Sequence, residues 1–180
     1  MVDKKIKAAA EILIKGGVVA FPTETVFGLG ALLNQTKAIK KIFAIKKRPK
    51  NKPLQILVPN LVAAKKLGRF NKQALALAKK YWPGPLTLVV NKTNKVSKIV
   101  TAGSSKVGLR VPKHKTILAL LKVCGPLAAT SANLSGQAPA LSHQEINLKG
   151  IDYILPGKAR LRKASQVIDA TSKANKILRQ

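Results

Sequence analysis

Residues 18–30 read Val-Val-Ala-Phe-Pro-Thr-Glu-Thr-Val-Phe-Gly-Leu-Gly, and this stretch with its flanks decides the fold class. The run 18–21 is short, apolar and β-branched, which predicts a buried strand followed by a loop. A helical stripe of apolar residues over 6–14 precedes it and stops at Gly16-Gly17. Apolar residues at helical spacing predict a second helix over 36–45. A strand between two helices is typical of an α/β domain.

The same alternation of strands and helices continues along the chain. Trp82-Pro-Gly-Pro85 cannot continue a helix, so it is predicted to be a rigid turn. No internal repeat, low-complexity segment or linker divides the chain, and we expect one domain over 1–180. Strands are predicted at 54–58, 86–90, 107–111, 127–130, 153–155, 166–168 and 176–178, and helices at 61–67, 72–81 and 116–123.

The charge of the chain is strongly unbalanced. Its 180 residues contain 34 Lys and Arg against 6 Asp and Glu, so the formal net charge is +28. Apolar residues make up 46%, which excludes a disordered basic tail because such tails cannot form a core. A positive field of this size concentrates phosphates, nucleotides or nucleic acid. The alternative is a solvated lysine surface, since the lysines are spread from end to end.

The scarce acids, histidines and cysteine exclude several kinds of site. A single cysteine, Cys124, excludes an intrachain disulfide and any multi-cysteine metal site. His114 and His143 lack neighbours at metal-ligand spacing, so we expect no protein-held metal. No apolar run approaches the roughly 20 residues that span a bilayer, and the first residues make a poor signal peptide. We therefore expect a cytoplasmic protein with no membrane partner. The acids are Asp3, Glu11, Glu24, Glu145, Asp152 and Asp169.

Two loops carry groups that can bind a ligand. The segment 22–30 offers the hydroxyls of Thr23 and Thr25, and its glycines allow a ligand to approach the backbone closely. An ordinary Pro/Gly turn is the alternative. The segment 46–53, Lys-Lys-Arg-Pro-Lys-Asn-Lys-Pro, places five cations after a predicted helix, more than the helix dipole accounts for. Stiffened by two prolines, these cations suit a polyphosphate, and a solvated charge run is the alternative.

Two further segments place polar side chains on predicted strands or at their ends. Ser131 and Asn133 follow an apolar strand, and in an extended stretch they would face the same way and hold hydroxyls or phosphate oxygens. A Ser or Asx turn is the alternative. Arg110 interrupts another apolar strand, where an arginine is seldom buried without an anionic partner. That partner is either a ligand carboxylate or phosphate, or one of two acids, Glu24 and Asp169.

Together these segments resemble a known family. The motifs are Phe21-Pro-Thr-Glu-Thr-Val-Phe-Gly-Leu-Gly30, Lys46-x-Arg48-Pro, Tyr81-Trp-Pro-Gly-Pro-Leu-Thr87, Val107-Gly-Leu-Arg-Val-Pro112 and Ser131-Ala-Asn-Leu-Ser-Gly136. In this order, from about residue 8 to the terminus, they are similar to the YrdC/TsaC family of threonylcarbamoyl-adenylate synthases. The resemblance implies a twisted, open mixed α/β sheet with flanking helices and a basic concave groove. It also implies the short, single-domain form of the family.

By this resemblance the chain is an enzyme that makes threonylcarbamoyl-AMP and pyrophosphate from L-threonine, bicarbonate and ATP, with Mg²⁺. The product would pass to downstream transfer proteins that modify adenosine 37 of transfer RNA. Residues carried over by position are Lys46 and Arg48 as catalytic residues, and Arg48, Lys52, Asn133 and Arg179 toward ATP. Those toward threonine are Phe27, Arg110, Ser131 and Ser165, with Thr23 and Thr25 as additional candidates.

Three positions depart from the family pattern. Phe27 stands where Tyr is common, Leu57 where many members have His, and 165–169 reads Ser-Gln-Val-Ile-Asp where many have Ser-Thr-x-x-Asp. The implied chemistry needs no covalent nucleophile, because a carbamate carboxylate attacks the α-phosphorus and cations stabilise the leaving pyrophosphate. Cys124 is accordingly expected in the core.

Two other function classes stay open. The first is an RNA-binding protein, since a net charge of +28 and a basic groove bind polyanions such as tRNA or double-stranded RNA. The second is a catalytically silent relative that binds a nucleotide without using it, although the intact Lys46-x-Arg48 and Ser131-x-Asn133 motifs argue against it.

Overall fold

The structure is a computed structural model that describes residues 3–172 and 174–179. Its helices are α1 (Lys4–Ile14), α2 (Thr36–Ile45), α3 (Leu61–Leu67), α4 (Lys72–Tyr81), α5 (Lys98–Thr101) and α6 (Lys115–Cys124), with a 3₁₀ turn at His143–Glu145. Its strands are β1 (Val19–Phe21), β2 (Gly28–Leu32), β3 (Gln55–Leu57), β4 (Gly68–Arg69), β5 (Leu86–Lys92), β6 (Lys106–Arg110), β7 (Leu127–Ser131), β8 (Tyr153–Ile154), β9 (Gln166–Asp169) and β10 (Lys176–Arg179).

All these strands belong to one open, mixed sheet. Its order is β10-β9-β5-β6-β3-β7-β2-β1-β8, and β4 pairs with β5 beside this path. The pairs β3–β6, β5–β9 and β1–β8 are parallel and the other pairs are antiparallel. The predicted α/β fold with an open mixed sheet is confirmed. Within the described residues, no helix is both long and apolar enough to cross a membrane.

The two faces of the sheet are covered differently. Alternate residues of a strand point to opposite faces. On one face, residues such as Leu88 and Leu109 pack against helices α2 to α5 in the larger core. On the other face, α1 and α6 cover only one end, where they pack on Phe21, Leu57 and Leu127. The remainder of this second face is left open and holds the candidate site.

Strand β2 corrects the prediction of a loop over 22–30. Gly28 and Gly30 favour a turn in the sequence, yet both pair in register with β1 and β7. The ring of Phe21 packs over them, so a Cβ on Gly28 would collide with it, and one on Gly30 would lie 3.0 Å from Phe21 Cε1. The glycines therefore make room for an aromatic ring within the sheet.

Candidate functional site

A cavity of about 500 Å³ lies on the open part of the sheet. Its floor consists of every second residue of five adjacent strands: Val167 and Asp169, Thr87 and Val89, Lys106, Gly108 and Arg110, Gln55, and Ala129 and Ser131. Arg48 and Pro53 form one wall, and Leu178 and Arg179 line the cavity from β10. A recess of about 20 Å³ adjoins it and shares the lining residues Thr25, Gln55, Arg110 and Ser131. The site is thus a large chamber with a small extension.

Two arginines bring uncompensated positive charge into this cavity. The guanidinium of Arg48 donates to the carbonyl oxygens of Lys52 at 3.2 Å and Pro53 at 2.8 Å. Arg179 donates to Ser165 O at 2.9 Å and to Ser165 Oγ at 3.1 Å. Burial lowers the pKa of both guanidiniums, and the charge of Arg110 adds to the effect at Arg179. Since neither meets a carboxylate among the described residues, both favour an anionic ligand.

Arg110 is paired within the protein, and its partner is Glu24, one of the two acids that the sequence left as alternatives to a ligand. Its Nη2 lies 2.7 Å from Glu24 Oε1 and donates to Thr25 Oγ1 at 3.0 Å, while its Nε donates to Gly84 O at 3.1 Å. Arg110 is 2% exposed, and Glu24 is 5% exposed. Burial lowers the pKa of Arg110, and the charge of Glu24 opposes this. The arginine is therefore neutralised in place and lines the cavity as part of a buried ion pair.

Lys46 does not face solvent, so it belongs neither to a solvated charge run nor to the cations that line the cavity. It is 1% exposed, and its Nζ donates to Ser131 O at 2.5 Å, to Asn133 O, and to Asn133 Oδ1 at 3.3 Å. Burial, followed by the charge of Arg48, lowers its pKa to about 8. Lys46 thus holds the loop that follows β7, whereas its neighbours Lys47, Lys50 and Lys52 are exposed.

The loop after β7 differs from the extended stretch that the sequence predicts. The strand ends at Ser131 and the chain turns, with Asn133 N donating to Ser131 O at 3.2 Å. Asn133 lines the cavity, but its Nδ2 donates to Leu134 O and Gln137 O, so its donors are satisfied internally. The Ser131 hydroxyl lines the cavity and has no hydrogen bond to the described residues. Ser131 is therefore the member of this pair that can bind a ligand directly.

The other predicted residues divide between the cavity and its surroundings. Thr25 and the buried Ser165 line the cavity. Thr23 borders only the recess, where its Oγ1 donates to Val26 O at 2.6 Å and closes a turn. Phe27 also borders only the recess and is fully buried in the core. The side chain of Lys52 is exposed and lies outside the cavity lining.

A polar chain on the cavity floor joins two predicted residues, Ser165 and Arg179, to Gln55 and Thr87, which sequence reasoning missed as site residues. Thr87 Oγ1 lies 2.9 Å from both Gln55 Oε1 and Ser165 Oγ, and Arg179 Nη2 continues the chain from Ser165. The sequence did contain one signal for them: Thr87 and Gln55 are polar residues in otherwise apolar strands, where the side chains of alternate residues point to the same face of the sheet. Their closeness depends on strand order, which the sequence does not state.

Asp169 also lines the cavity, and its oxygens are already used. Oδ2 accepts from Lys106 Nζ at 2.8 Å, and Oδ1 accepts from Thr171 N at 3.0 Å and from Thr171 Oγ1 at 2.6 Å. Burial raises the pKa of Asp169, but these hydrogen bonds outweigh it and hold the pKa below its usual value. In the described part of the chain no three His, Cys, Asp or Glu side chains group as metal ligands.

A family model and several known proteins match this chain. The Sua5_yciO_yrdC family model, described as telomere recombination, matches residues 11–180. The threonylcarbamoyl-AMP synthase of Pyrococcus abyssi is 40% identical over 97% of this chain and 53% of its own length. That of Bacillus subtilis is 45% identical over 75% of this chain and 40% of its own length. The chain thus spans about half the length of these curated relatives or less.

Solved structures match the fold closely. Sua5 of P. abyssi, solved in complex with L-threonine, superimposes with a TM-score of 0.93 at 38% identity, over 97% of this chain and 53% of that one. YciO of E. coli superimposes with a TM-score of 0.90 at 29% identity, over 97% of this chain and 88% of that one. The open sheet is therefore a shared architecture.

Proposed function

Because the chain belongs to the Sua5/YciO/YrdC family, as the match over residues 11–180 shows, we propose that it synthesises threonylcarbamoyl-AMP. L-Threonine, bicarbonate and ATP are the substrates, and pyrophosphate is the second product. The curated relatives that share 40–45% identity carry the name of this activity. Since an adenylyl group is transferred, the enzyme is a nucleotidyltransferase.

One observation carries this proposal: Arg48 and Arg179, neither of which meets a carboxylate among the described residues, present guanidinium groups to a cavity of about 500 Å³. This volume lies within the range of sites that hold a small organic ligand. Guanidiniums bind phosphate oxygens in a fork geometry, and they stabilise charge that develops on a leaving pyrophosphate. We assign the ATP phosphates to these two arginines and the threonine to the recess side, near Thr25 and Ser131.

The reaction follows from bringing these groups together. The threonine amine and bicarbonate form a carbamate, with release of water, and a carbamate oxygen attacks the α-phosphorus as the bond to pyrophosphate breaks. Positioning and electrostatic stabilisation are the main contributions of the protein in such a transfer. Mg²⁺ arrives with the ATP phosphates, since the carboxylate of Asp169 is engaged by Lys106 and Thr171.

We assign Lys46 a positioning role and Arg48 a direct one. Lys46 donates to the backbone of the loop that carries Ser131, and so fixes the position of the Ser131 hydroxyl at the cavity. Arg48 lines the cavity itself. Lys46 therefore acts through the loop after β7, and Arg48 acts at the cavity itself. Loss of Lys46 would displace the Ser131–Asn133 loop, and loss of Arg48 would remove a phosphate contact.

Several broader assignments accompany the activity. We propose that residues 1–180 form one YrdC-like domain, supported by strands from both ends of the chain joining one sheet. We also propose that the labile product passes to a tRNA-modifying transferase in the cytoplasm.

The decisive experiment measures product with every substrate omitted in turn. The purified protein, with Mg-ATP, L-threonine and ¹³C-bicarbonate, is expected to release pyrophosphate and to form an adenylate that carries the ¹³C label, detected by mass spectrometry. Omission of threonine or bicarbonate should abolish both signals. Arg48→Ala should lose the activity, whereas Arg69→Ala, an exposed arginine on β4 outside the cavity, should retain it. Pyrophosphate release without threonine would contradict the proposal.

RNA binding is a second candidate function, favoured by the unpaired cations. Ion pairs among the described residues engage only Lys41, Lys106 and Arg110, although the chain has 34 Lys and Arg. The remaining charge attracts tRNA or double-stranded RNA through its phosphates. Aromatic residues make up only 4% of the chain, so base stacking would contribute little.

A further inference from the structure

The hydrogen bonds of the polar chain on the cavity floor all run in one direction. Thr87 Oγ1 donates to Gln55 Oε1 at 2.9 Å. Thr87 has only one hydroxyl hydrogen, so in its 2.9 Å contact with Ser165 the serine must be the donor. Arg179 Nη2, which can only donate, supplies the hydrogen bond to Ser165 Oγ. The donors therefore point from Arg179 through Ser165 and Thr87 to Gln55.

This direction leaves the amide nitrogen of Gln55 free. Oε1 accepts from Thr87, and none of the hydrogen bonds among the described residues involves Nε2. Gln55 lines both the cavity and the recess, at the place where the two meet. Its cross-strand neighbours in register are Gly108 and Ala129, whose side chains leave space above the sheet. The Nε2 group of this half-buried side chain therefore has two N–H donors that no described protein group uses, and they are available to a ligand at the junction.

We propose that Gln55 Nε2 binds bicarbonate and then the carboxylate of the carbamate that is formed from it. This inference rests on the proposed function. The cavity side holds the nucleotide and the recess side the amino acid, so the group between them must be bonded to the threonine nitrogen and reach the α-phosphorus. This group contains the carbon of bicarbonate. The threonine nitrogen forms a bond to that carbon as water leaves, which gives a carbamate. A carbamate oxygen then attacks the α-phosphorus.

A neutral amide suits this role better than a cation. Binding to an ammonium or guanidinium would stabilise the negative charge of the carboxylate strongly and reduce its reactivity toward the α-phosphorus. An amide N–H orients the carboxylate through a weaker hydrogen bond. The nearby Arg110 is neutralised by Glu24, which leaves Gln55 as an uncharged donor beside a compensated ion pair.

Two substitutions test the N–H donors of Gln55, because each removes these donors and keeps other properties of the side chain. Gln55→Glu keeps the size and the acceptor for Thr87 but adds a negative charge, whereas Gln55→Met is uncharged and has a similar length. Both lose the N–H donors. Gln73→Glu, in the exposed part of α4, is the matched control for the added charge. Steady-state rates are measured in buffers freed of carbon dioxide, with bicarbonate, threonine and ATP varied separately.

Both Gln55 variants are expected to raise the KM for bicarbonate at least about tenfold, corresponding to about 1.4 kcal/mol. Gln55→Met should change the KM for threonine and for ATP less than threefold, and threonine binding measured calorimetrically without bicarbonate should be unchanged. An unaltered bicarbonate KM in both variants, with active wild-type protein, would overturn the role of Gln55 and leave the proposed function intact. An equal rise for threonine would overturn it too. A wild-type protein that forms no product would overturn both.

Discussion

The wild-type protein and a Lys46→Met variant are expected to diverge in stability as the pH rises. Lys46 is 1% exposed and has no carboxylate partner among the described residues. Burial, together with the charge of Arg48, lowers its pKa from 10.5 to about 8. Between these two values the unfolded chain binds a proton on Lys46 that the folded chain does not, so the free energy of unfolding rises with pH. Below about pH 8 the penalty for the buried charge is fully present.

The size of the effect follows from the change in pKa. A lowering from 10.5 to about 8 corresponds to about 3 kcal/mol. Water in the cavity beside Ser131 and Asn133 screens the charge, so we expect about 2 kcal/mol. Methionine removes the charge but leaves the carbonyl oxygen of Asn133 without its donor, which costs about 1–3 kcal/mol, and it removes one donor to Ser131 O, which still accepts from Asn133 N. The variant is therefore less stable than wild type at high pH, and the difference narrows toward neutral pH.

Urea unfolding of both proteins, at intervals from about pH 7 to about pH 10.5, measures this difference. The other lysines titrate in both proteins, so subtracting one curve from the other isolates Lys46. Wild type should gain about 2 kcal/mol relative to Lys46→Met over this range. Parallel curves would refute the buried, depressed lysine. The synthase rate provides an independent readout: in wild type it should fall above about pH 8, because a neutral amine has fewer hydrogens to hold the Ser131–Asn133 loop.

Three further predictions concern the other charges. Arg48→Ala and Arg179→Ala should each weaken the binding of a non-hydrolysable ATP analogue by about 10- to 150-fold. This range corresponds to the loss of one charged hydrogen bond of about 1.5–3 kcal/mol. Affinities measured by calorimetry that are close to that of Arg69→Ala would contradict this prediction. Arg110→Met should lower the free energy of unfolding by about 3–5 kcal/mol, because it leaves the buried Glu24 carboxylate without its cation. The double variant with Glu24→Gln should recover part of this loss. A raised KM for threonine with unchanged stability would instead indicate that Arg110 binds the threonine. Affinity for double-stranded RNA, measured by fluorescence anisotropy, should fall steeply between about 50 and about 200 mM salt, and salt-resistant, sequence-selective binding would favour the RNA-binding function.

Most of the fold could be predicted because its elements have strong periodicity. Helices such as α2 and α6 and strands such as β5 and β6 lie within a few residues of the predicted ranges. Strand β2 was missed because its glycines favour a turn, and only the packing of Phe21 shows why a strand needs them. Strand β4 and helix α5 are two and four residues long, too short for any periodic pattern.

The site was less predictable than the fold, because its charges are assigned by tertiary contacts. The sequence showed that Arg110 needs an anion, and it left a ligand and Glu24 as alternatives; the structure brings Glu24 within 2.7 Å. The sequence also showed a cationic loop, but it did not show that Lys46 is buried while the neighbouring lysines are exposed. Gln55 and Thr87 were passed over, since one polar residue in an apolar strand has no meaning until the neighbouring strands are known.

Divergence of this protein can proceed on one side of the sheet while the other stays unchanged. In β6, Lys106 and Gly108 face the cavity, whereas Val107 and Leu109 lie in the core. Point substitutions on the cavity side can therefore alter ligand preference while the core residues of the same strand stay in place. A one-residue insertion within the strand has the opposite effect, because it moves core residues into the cavity and a lysine into the core. Evolution toward new substrates is thus open to substitutions at every second strand position, while length changes are confined to the loops at the cavity rim.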